Sequence, residues 1–389
     1  MTRTTTSSRP FAVIGNPDHR RVTMFQAALA AQGCPPAHVI AWRDLAEPAS
    51  CASALAGVPR DAIFRLDSTG EDAGVERALI ERGEVAARAE GSPAISAPAL
   101  ARIPHELGRI IHPRQHHLGF VAILDELEAA VVARPDLRVV QSPAALRELF
   151  DKRVTSAKWR ALGIPIPEAL PGGPVTDPND LRERMLVAGW PRVYVKLASG
   201  SSAACLAIFE QDRRGERLIT TVEDTGDARY NTRKLQHLRA RQPIDRVLRF
   251  LLHEGAQVER ALAKARHADR WFDLRVLTID GVPAFVVMRT SPHEITNLHL
   301  GGVRGDVAAL QATIPEASWA AAMASCRRVQ RESGAFHVGV DVMFEPGLET
   351  HRVLEGNAFG DLLPNLERDG TDVYGWQIRR LVSVPASAA

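Results

Sequence analysis

Cysteine is scarce: Cys34, Cys51, Cys205 and Cys326 are scattered over 389 residues with no C-x-x-C pair. This excludes a disulfide scaffold and a thiolate zinc site, and it suits a reducing compartment such as the cytoplasm. Gly15-Asn16-Pro17 follows the first apolar run, where a dinucleotide fold would carry G-x-G-x-x-G, and that pattern is missing. His105, His112, His116 and His117 cluster between residues 102 and 120, but they form no H-E-x-x-H and no i, i+4 pair backed by an acid, so zinc is not expected. A net charge of +2, with 24% charged residues and no long run of one sign, gives no reason to expect nucleic acid or an anionic membrane as partner. FVAILDELEAAVV, one of the longest apolar stretches, is broken by acids well short of the ~20 residues a membrane span needs. MTRTTTSSRP has no apolar h-region, so residues 1–10 read as a disordered tail without an export signal.

A hydrophobic content of 45% is ordinary for a globular core, and the usual size of about 100–200 residues per domain allows two or three domains. From residue 11 to about 140, short apolar runs (FAVIGNP, AHVIAW, DAIFRLD) alternate with amphipathic segments, the rhythm of a small, mostly parallel α/β sheet. Arg65, Asp67 and Ser68 sit at the end of one such strand, either as a turn cap or as part of an acceptor site. Ser142-Pro143 opens a helix expected to carry Asp151-Lys152, and a second helical run ends at Gly163. Asp177 caps a further helix that stops at Gly189, and the polar stretch 211–250 reads as exposed strands and a helix of a lid. Asp280-Gly281, between FDLRVLTI and VPAFVVMR, marks a hairpin over 271–289. There Asp273 and Arg275 share a face, and Arg289 falls on the other unless a bulge brings it round. Thr371 to Val382 reads as a closing helix.

Two stretches carry charges that an apolar pattern does not need. In FHVGVDVMFEPGLETHRVLEGNAFGD (336–361), Asp341 and Glu355 lie inside apolar runs flanking a turn. A buried carboxylate requires a cationic or hydrogen-bonding partner. A hairpin centred near Leu348 sets Asp341 opposite Glu355, with Asn357 on the same face. Three oxygen donors without Cys or His suit a hard cation such as Mg²⁺; a backbone partner for Asp341 and an Arg352 partner for Glu355 would serve as well, and on these residues alone both readings stand. In RVYVKLASGSSAA, Lys196 interrupts a strand just before the donor-rich segment Ser199, Gly200, Ser201, Ser202. This is one recipe for holding a polyphosphate, and equally that of an edge-strand lysine before a hairpin.

The order of Lys152, Lys196 with its Ser/Gly loop, Glu259 in QVERAL, Asp273-Leu274-Arg275, Asn297 before Gly301-Gly302, then Asp341, Glu355 and Asn357 resembles the ATP-grasp superfamily over residues 140–365. The similarity is nearest to the branch of ribosomal-protein glutamate ligase and glutathione synthetase. It implies an α+β fold: a small, mostly parallel N-terminal domain (11–140), a lid subdomain (141–255) and a C-terminal subdomain with the metal site (256–389). It further implies that Lys152, Lys196 and the loop Ser199–Ser202 hold ATP phosphates, and that Glu259 meets the adenine or ribose edge. Arg275 would neutralise the transferring phosphoryl group, Asn297 would touch metal or acyl phosphate, and Asp341, Glu355 and Asn357 would hold Mg²⁺. Arg289 and the loop His293–His299 are candidates for the acceptor side. KLASGSSAA departs from the family in having no Pro after the Lys and fewer glycines.

The resemblance implies an ADP-forming carboxylate–amine ligase that uses ATP and Mg²⁺ and passes through an acyl phosphate. Its substrate would be an amino acid, a peptide or a small carboxylate, and association into a homo-oligomer is compatible with it. A small-molecule kinase of the same fold and a non-catalytic ATP-binding regulator are the alternatives.

Overall fold

The computed structural model describes residues 9–47, 49–200, 204–361 and 363–383, in three sheets that follow one another along the chain. Strands β1 (Phe11–Ile14), β2 (His38–Ile40), β3 (Ile63–Leu66) and β4 (Arg138–Val139) form a parallel sheet in the order β2-β1-β3-β4. All residues of β1 and β3 are buried because both faces are covered. Ala12, Ile14, Phe64 and Leu66 share a core with Phe120, Ile123 and Leu127 of helix Pro113–Val132. Phe11, Val13 and Ile63 pack with helix Arg20–Ala31 and with helix Val373–Val382, which Asp372 caps by accepting from the Gly375 N–H at 2.7 Å. The closing helix thus packs on the N-terminal sheet.

Arg65, Asp67 and Ser68 contribute to the same seam. Arg65 is 2% exposed, with its guanidinium 5.2 Å from the Phe25 ring and 5.1 Å from the Tyr374 ring. Its Nη1 donates to Gln377 at 2.6 Å, and Asp67 accepts from the Ser68 N–H at 2.8 Å. The Asp-Ser turn is present, and the Arg65 side chain is spent on fastening the closing helix.

The start of helix Pro113–Val132 is capped from another part of the chain: the Glu254 carboxylate accepts from the Arg114 N–H at 2.9 Å. Burial pushes the Glu254 carboxyl up from 4.5 to about 7. A carboxyl raised in the folded state contributes stability at pH below about 4.5 that is lost as pH rises through about 7. Glu254→Gln keeps the acceptor oxygen, so it is expected to remove up to about 3 kcal/mol of pH dependence. Urea unfolding at a series of pH values from acid to neutral measures this.

The middle sheet is antiparallel, with β5 (Arg192–Leu197), β6 (Leu206–Asp212), β7 (Gly215–Asp224), β8 (Arg229–Leu238) and β9 (Ala256–Arg260) in the order β8-β7-β6-β5-β9. Ile244, Val247, Leu248 and Leu251 of helix Arg241–His253 pack on Val193, Val195, Phe209 and Leu218. The period of two therefore turns Tyr194 and Lys196 to the opposite face. Lys196 is not on an edge strand, since β5 is flanked by β6 and β9. By hydrogen bonding β9 belongs to this sheet, although it follows residue 255.

The third sheet contains β10 (Arg266–His267), β11 (Arg270–Ile279), β12 (Val282–Ser291), β13 (Val303–Gly305), β14 (His337–Phe344) and β15 (His351–Asn357), in the order β13-β12-β11-β14-β15 with β10 pairing β11. Helix Glu316–Ser333 packs across it, and β14 is buried along its whole length. Asp280 and Gly281 have φ of 48° and 76°, the two positive values that a tight I′ hairpin requires.

Two bulges set which side chains meet. In β11/β12, Ile279 faces Val282, but a register shift at Leu277/Thr278 puts Arg289 opposite Asp273. A regular register would have turned Arg289 to the other face; the bulge corrects that expectation. In β14/β15, Phe344 faces His351, and a shift between Asp341 and Val342 sets Asp341 opposite Glu355. The expected acid pair forms, by way of an extra residue in β15.

Candidate active site

The cationic face of β5 and the acidic face of β11/β14/β15 look at each other across a cleft lined by Lys152, Lys196, Gly200, Glu259, Arg289, Asn297, Asp341 and Glu355, eight of the residues singled out in the sequence. Asp151 does not continue the first helix. It ends outside helix Pro143–Leu149 and caps Lys152–Ala161 by accepting from the Arg153 N–H at 2.9 Å, so Lys152 is the first residue of the second helix. From there Nζ donates to the Gly200 carbonyl and lies 3.2 Å from Glu355, bridging the donor-rich loop and the acidic hairpin. Lys196 Nζ pairs with Glu259 at 2.6 Å and sits 5.5 Å from the centre of the Tyr194 ring. Ser199 lies in the turn after β5 but does not line the cleft, and Ser201 and Ser202 lie outside the described residues.

Asp341 is the electrostatic centre. Both its oxygens are engaged: Arg275 binds it through Nε and Nη2, and Arg289 Nη2 is 3.0 Å away. Burial raises the carboxyl pKa, but the two guanidiniums outweigh it and hold the group down to about 2. Arg275 is therefore behind the acid, not on the cleft wall, and its Nη1 reaches Asp361 at 3.0 Å. Arg289 also binds Asp273 at 2.7 Å. Asn357 does not line the cleft. Its amide nitrogen donates to the Gly339 carbonyl at 2.9 Å, and the turn after it folds back over Gly339, where a Cβ would come within 3.2 Å of Gly360. That return brings Asp361 to Arg275. Asn297 lines the cleft while its side chain accepts from the His299 N–H at 2.8 Å.

Three participants were not singled out as site residues. Lys264 Nζ, on a mostly buried side chain, donates to Thr296 Oγ1 at 2.8 Å and to the Glu294 carbonyl at 2.9 Å and lies 3.5 Å from Asp273; burial lowers its pKa. A single Lys in RALAKARH carries no periodic signal. Asp273 had a visible facial relation to Arg275, but its link to Arg289 depends on the bulge. Asp361 followed the acidic hairpin in sequence with nothing to indicate its partner. The histidines at 105–117 stay outside the cleft, and burial lowers the pKa of His116 and His117 to about 4.

The donor set fits a hard cation. Asp341, Glu355 and the Asn357 amide offer oxygen only, and among the described residues no group of three or more His, Cys, Asp or Glu gathers as a transition-metal cage would. Each acid already has a cationic partner, so an ion would share them with Lys152, Arg275 and Arg289. Such a site suits an ion that arrives with phosphate oxygens as its other ligands.

By sequence, no protein-family model and no curated protein matches the chain. By structure, it is similar to the ATP-grasp ligase PsnB complexed with minimal precursor, Mg and ADP, with TM-score 0.53 and 18% identity over 98% of each chain. It is similar also to the D-cycloserine synthetase DcsG, with TM-score 0.52 and 14% identity over 96% of this chain and 99% of that one. A third is the macrocyclase MdnC bound with precursor peptide MdnA from Microcystis aeruginosa, with TM-score 0.50 and 11% identity over 95% and 99%. The likeness extends over nearly the whole length of each, and the fold of this chain is the ATP-grasp fold.

Proposed function

We propose that the protein is an ATP- and Mg²⁺-dependent carboxylate–amine ligase of the cytoplasm. One observation carries the reading: Lys152 at the start of its helix and Lys196 of the middle sheet face Asp341, Glu355 and Arg289 of the third sheet across a single cleft. ATP and the acid substrate would meet there. Lys152, Lys196 and the Ser199–Ser202 loop would hold the phosphates, and Glu259 would hold the ribose or adenine edge. The ADP and Mg in the PsnB complex support this cofactor pair. Asp341, Glu355 and Asn357 would hold Mg²⁺, which when bound neutralises phosphate charge.

The chain's own residues supply the rest. Arg289, fixed by Asp273 and Asp341, presents a guanidinium whose position is set before substrate arrives, and Arg275 keeps Asp341 ionised from behind. Preorganised charge of this kind stabilises the transferring phosphoryl group without reorganisation. The substrate carboxylate would attack the γ-phosphorus, ADP would leave, and the amine would displace phosphate from the acyl phosphate. Asn297 borders the space where that intermediate would form. The precursor peptide PsnA2 in a complex of PsnB and the precursor peptide MdnA on MdnC make peptides one substrate class to try here. A division after residue 260 rather than 255 would place β9 with the lid.

The test is ATP-dependent ADP release over a panel of free amino acids and short peptides, with product mass as the second readout. ADP and phosphate released only when acid and amine are both present support the ligase. Phosphate retained on the acid selects a kinase, and nucleotide binding without turnover selects a regulator.

A further inference from the structure

Every cation on the cleft wall has a carboxylate: Lys152 has Glu355, Lys196 has Glu259, Arg260 has Glu168, Lys264 has Asp273, and Arg289 has Asp273 and Asp341. One strand further out the pattern breaks. β13 pairs antiparallel with β12, and the register sets Arg304 directly opposite Arg289, on the same face of the sheet. Directly opposed residues have Cβ atoms about 5 Å apart, and like charges in that position are destabilising. Arg304 is exposed and has no carboxylate partner among the described residues. Its hydrogen bond goes to the Pro364 carbonyl at 2.7 Å.

That carbonyl belongs to the return loop after the acidic hairpin, whose Asp361 is held by Arg275. Leu363 and Asn365, on either side of Pro364, have φ of 39° and 65°, left-handed values that non-glycine residues seldom adopt. The guanidinium of Arg304 is thus anchored by one N–H beside a strained loop, with its remaining donors open and a second guanidinium one strand away. Arg304 is the unmatched member of this pair, since Arg289 has Asp273 and Asp341, and an oxyanion lying between the two guanidiniums would supply the missing counter-charge.

Building on the ligase reading, we propose that Arg304 binds a second, non-reacting carboxylate of the acid substrate, so that the substrate is a short dicarboxylate spanning Arg304 and Arg289. The reacting carboxylate lies toward Arg289 and Asp341, and the other is read by Arg304. An arginine fork takes a carboxylate through two parallel hydrogen bonds, and an amide in its place loses both the charge and one acceptor.

The full chain, saturated with Mg²⁺ and AMPPNP, is titrated calorimetrically with glutarate and with its monoamide, glutaramate, as wild type and as Arg304→Gln. Gln retains a donor for the Pro364 carbonyl, so loss of the loop anchor is separated from loss of the charge. The wild type is expected to prefer glutarate by about 10-fold or more, the range of a charge-assisted bidentate pair. Arg304→Gln is expected to bind both ligands alike, with AMPPNP affinity unchanged. No glutarate binding, equal binding of the two by the wild type, or a preference that survives Arg304→Gln overturns the proposal. Weaker AMPPNP binding by the variant overturns it as well, because the oxyanion would then be a nucleotide phosphate. ADP release scores the ligase reading separately. A glutarate preference without ADP release on addition of any amine would remove the ligase and leave the carboxylate site, whereas turnover of monoacids with Arg304→Gln fully active would do the reverse.

Discussion

Glu355→Gln is expected to lower ADP release on the order of 10²–10³-fold, the usual effect of deleting one preorganised charge at a phosphoryl-transfer centre. Its effect on folding should be small. Glu355 keeps 27% side-chain exposure and its ionic partner is Lys152 at 3.2 Å, a pair of the partly solvated kind worth about 0–1 kcal/mol. Gln preserves the volume and one acceptor oxygen, so the Lys152 bridge to the Gly200 carbonyl can persist. Comparing the thermal midpoint with the Mg²⁺ concentration needed for half-maximal AMPPNP binding separates the two effects. A raised Mg²⁺ requirement at an unchanged midpoint is the expected result, and wild-type ADP release in this variant would sink the metal assignment.

What the sequence disclosed about this site follows from which forces act locally. Strand identity, the Asp280-Gly281 turn, the caps at Ser142 and Asp177 and the period of two that turns Lys196 away from the helices are short-range effects, so the residues that cause them are adjacent in the chain. The acid pair Asp341/Glu355 was legible because one hairpin contains both. Their opposition was legible as well, but its cause was not: the turn pairs Phe344 with His351, a register that by itself would set Asp341 against Leu354, and the extra residue in β15 restores the match. Arg289 shows the same limit more sharply. Its face depends on a single bulge at Leu277/Thr278 that no propensity in LTIDGVPAF specifies. Lys264, Asp361 and Arg304 were invisible for a different reason: their partners are 9, 86 and 60 residues away, and only the assembled sheet brings them together. The break between Leu149 and Lys152 illustrates the opposite case, where a local signal, Asp151 as a cap, overrides a helical pattern that reads as continuous.

Across the ladder from Glu355, Asp341→Ala is expected to behave quite differently, losing about 3–5 kcal/mol of stability in addition to activity. Asp341 is buried, and removing it strips Arg275 and Arg289 of a shared counter-charge. Arg289 would retain Asp273, itself shared with Lys264, while Arg275 would be left with Asp361 on the cleft's outer side. Two guanidiniums left with too little counter-charge in that interior cost more than the missing carboxylate contributed as an ion pair. The pH dependence has a definite sign. Because the folded carboxyl is held down to about 2 from 3.8, its contribution is present above about pH 3.8 and is lost as pH falls through about 2, so Asp341→Ala should flatten the acid limb of the unfolding curve. Adding Arg275→Met to Asp341→Ala provides the decisive comparison. Removing the stranded charge should recover stability, with a coupling of about 0.5–3 kcal/mol in the double-mutant cycle by urea unfolding. Strict additivity would mean that Arg275 does not hold Asp341, and the counter-charge of this carboxylate would have to be sought in Arg289 instead.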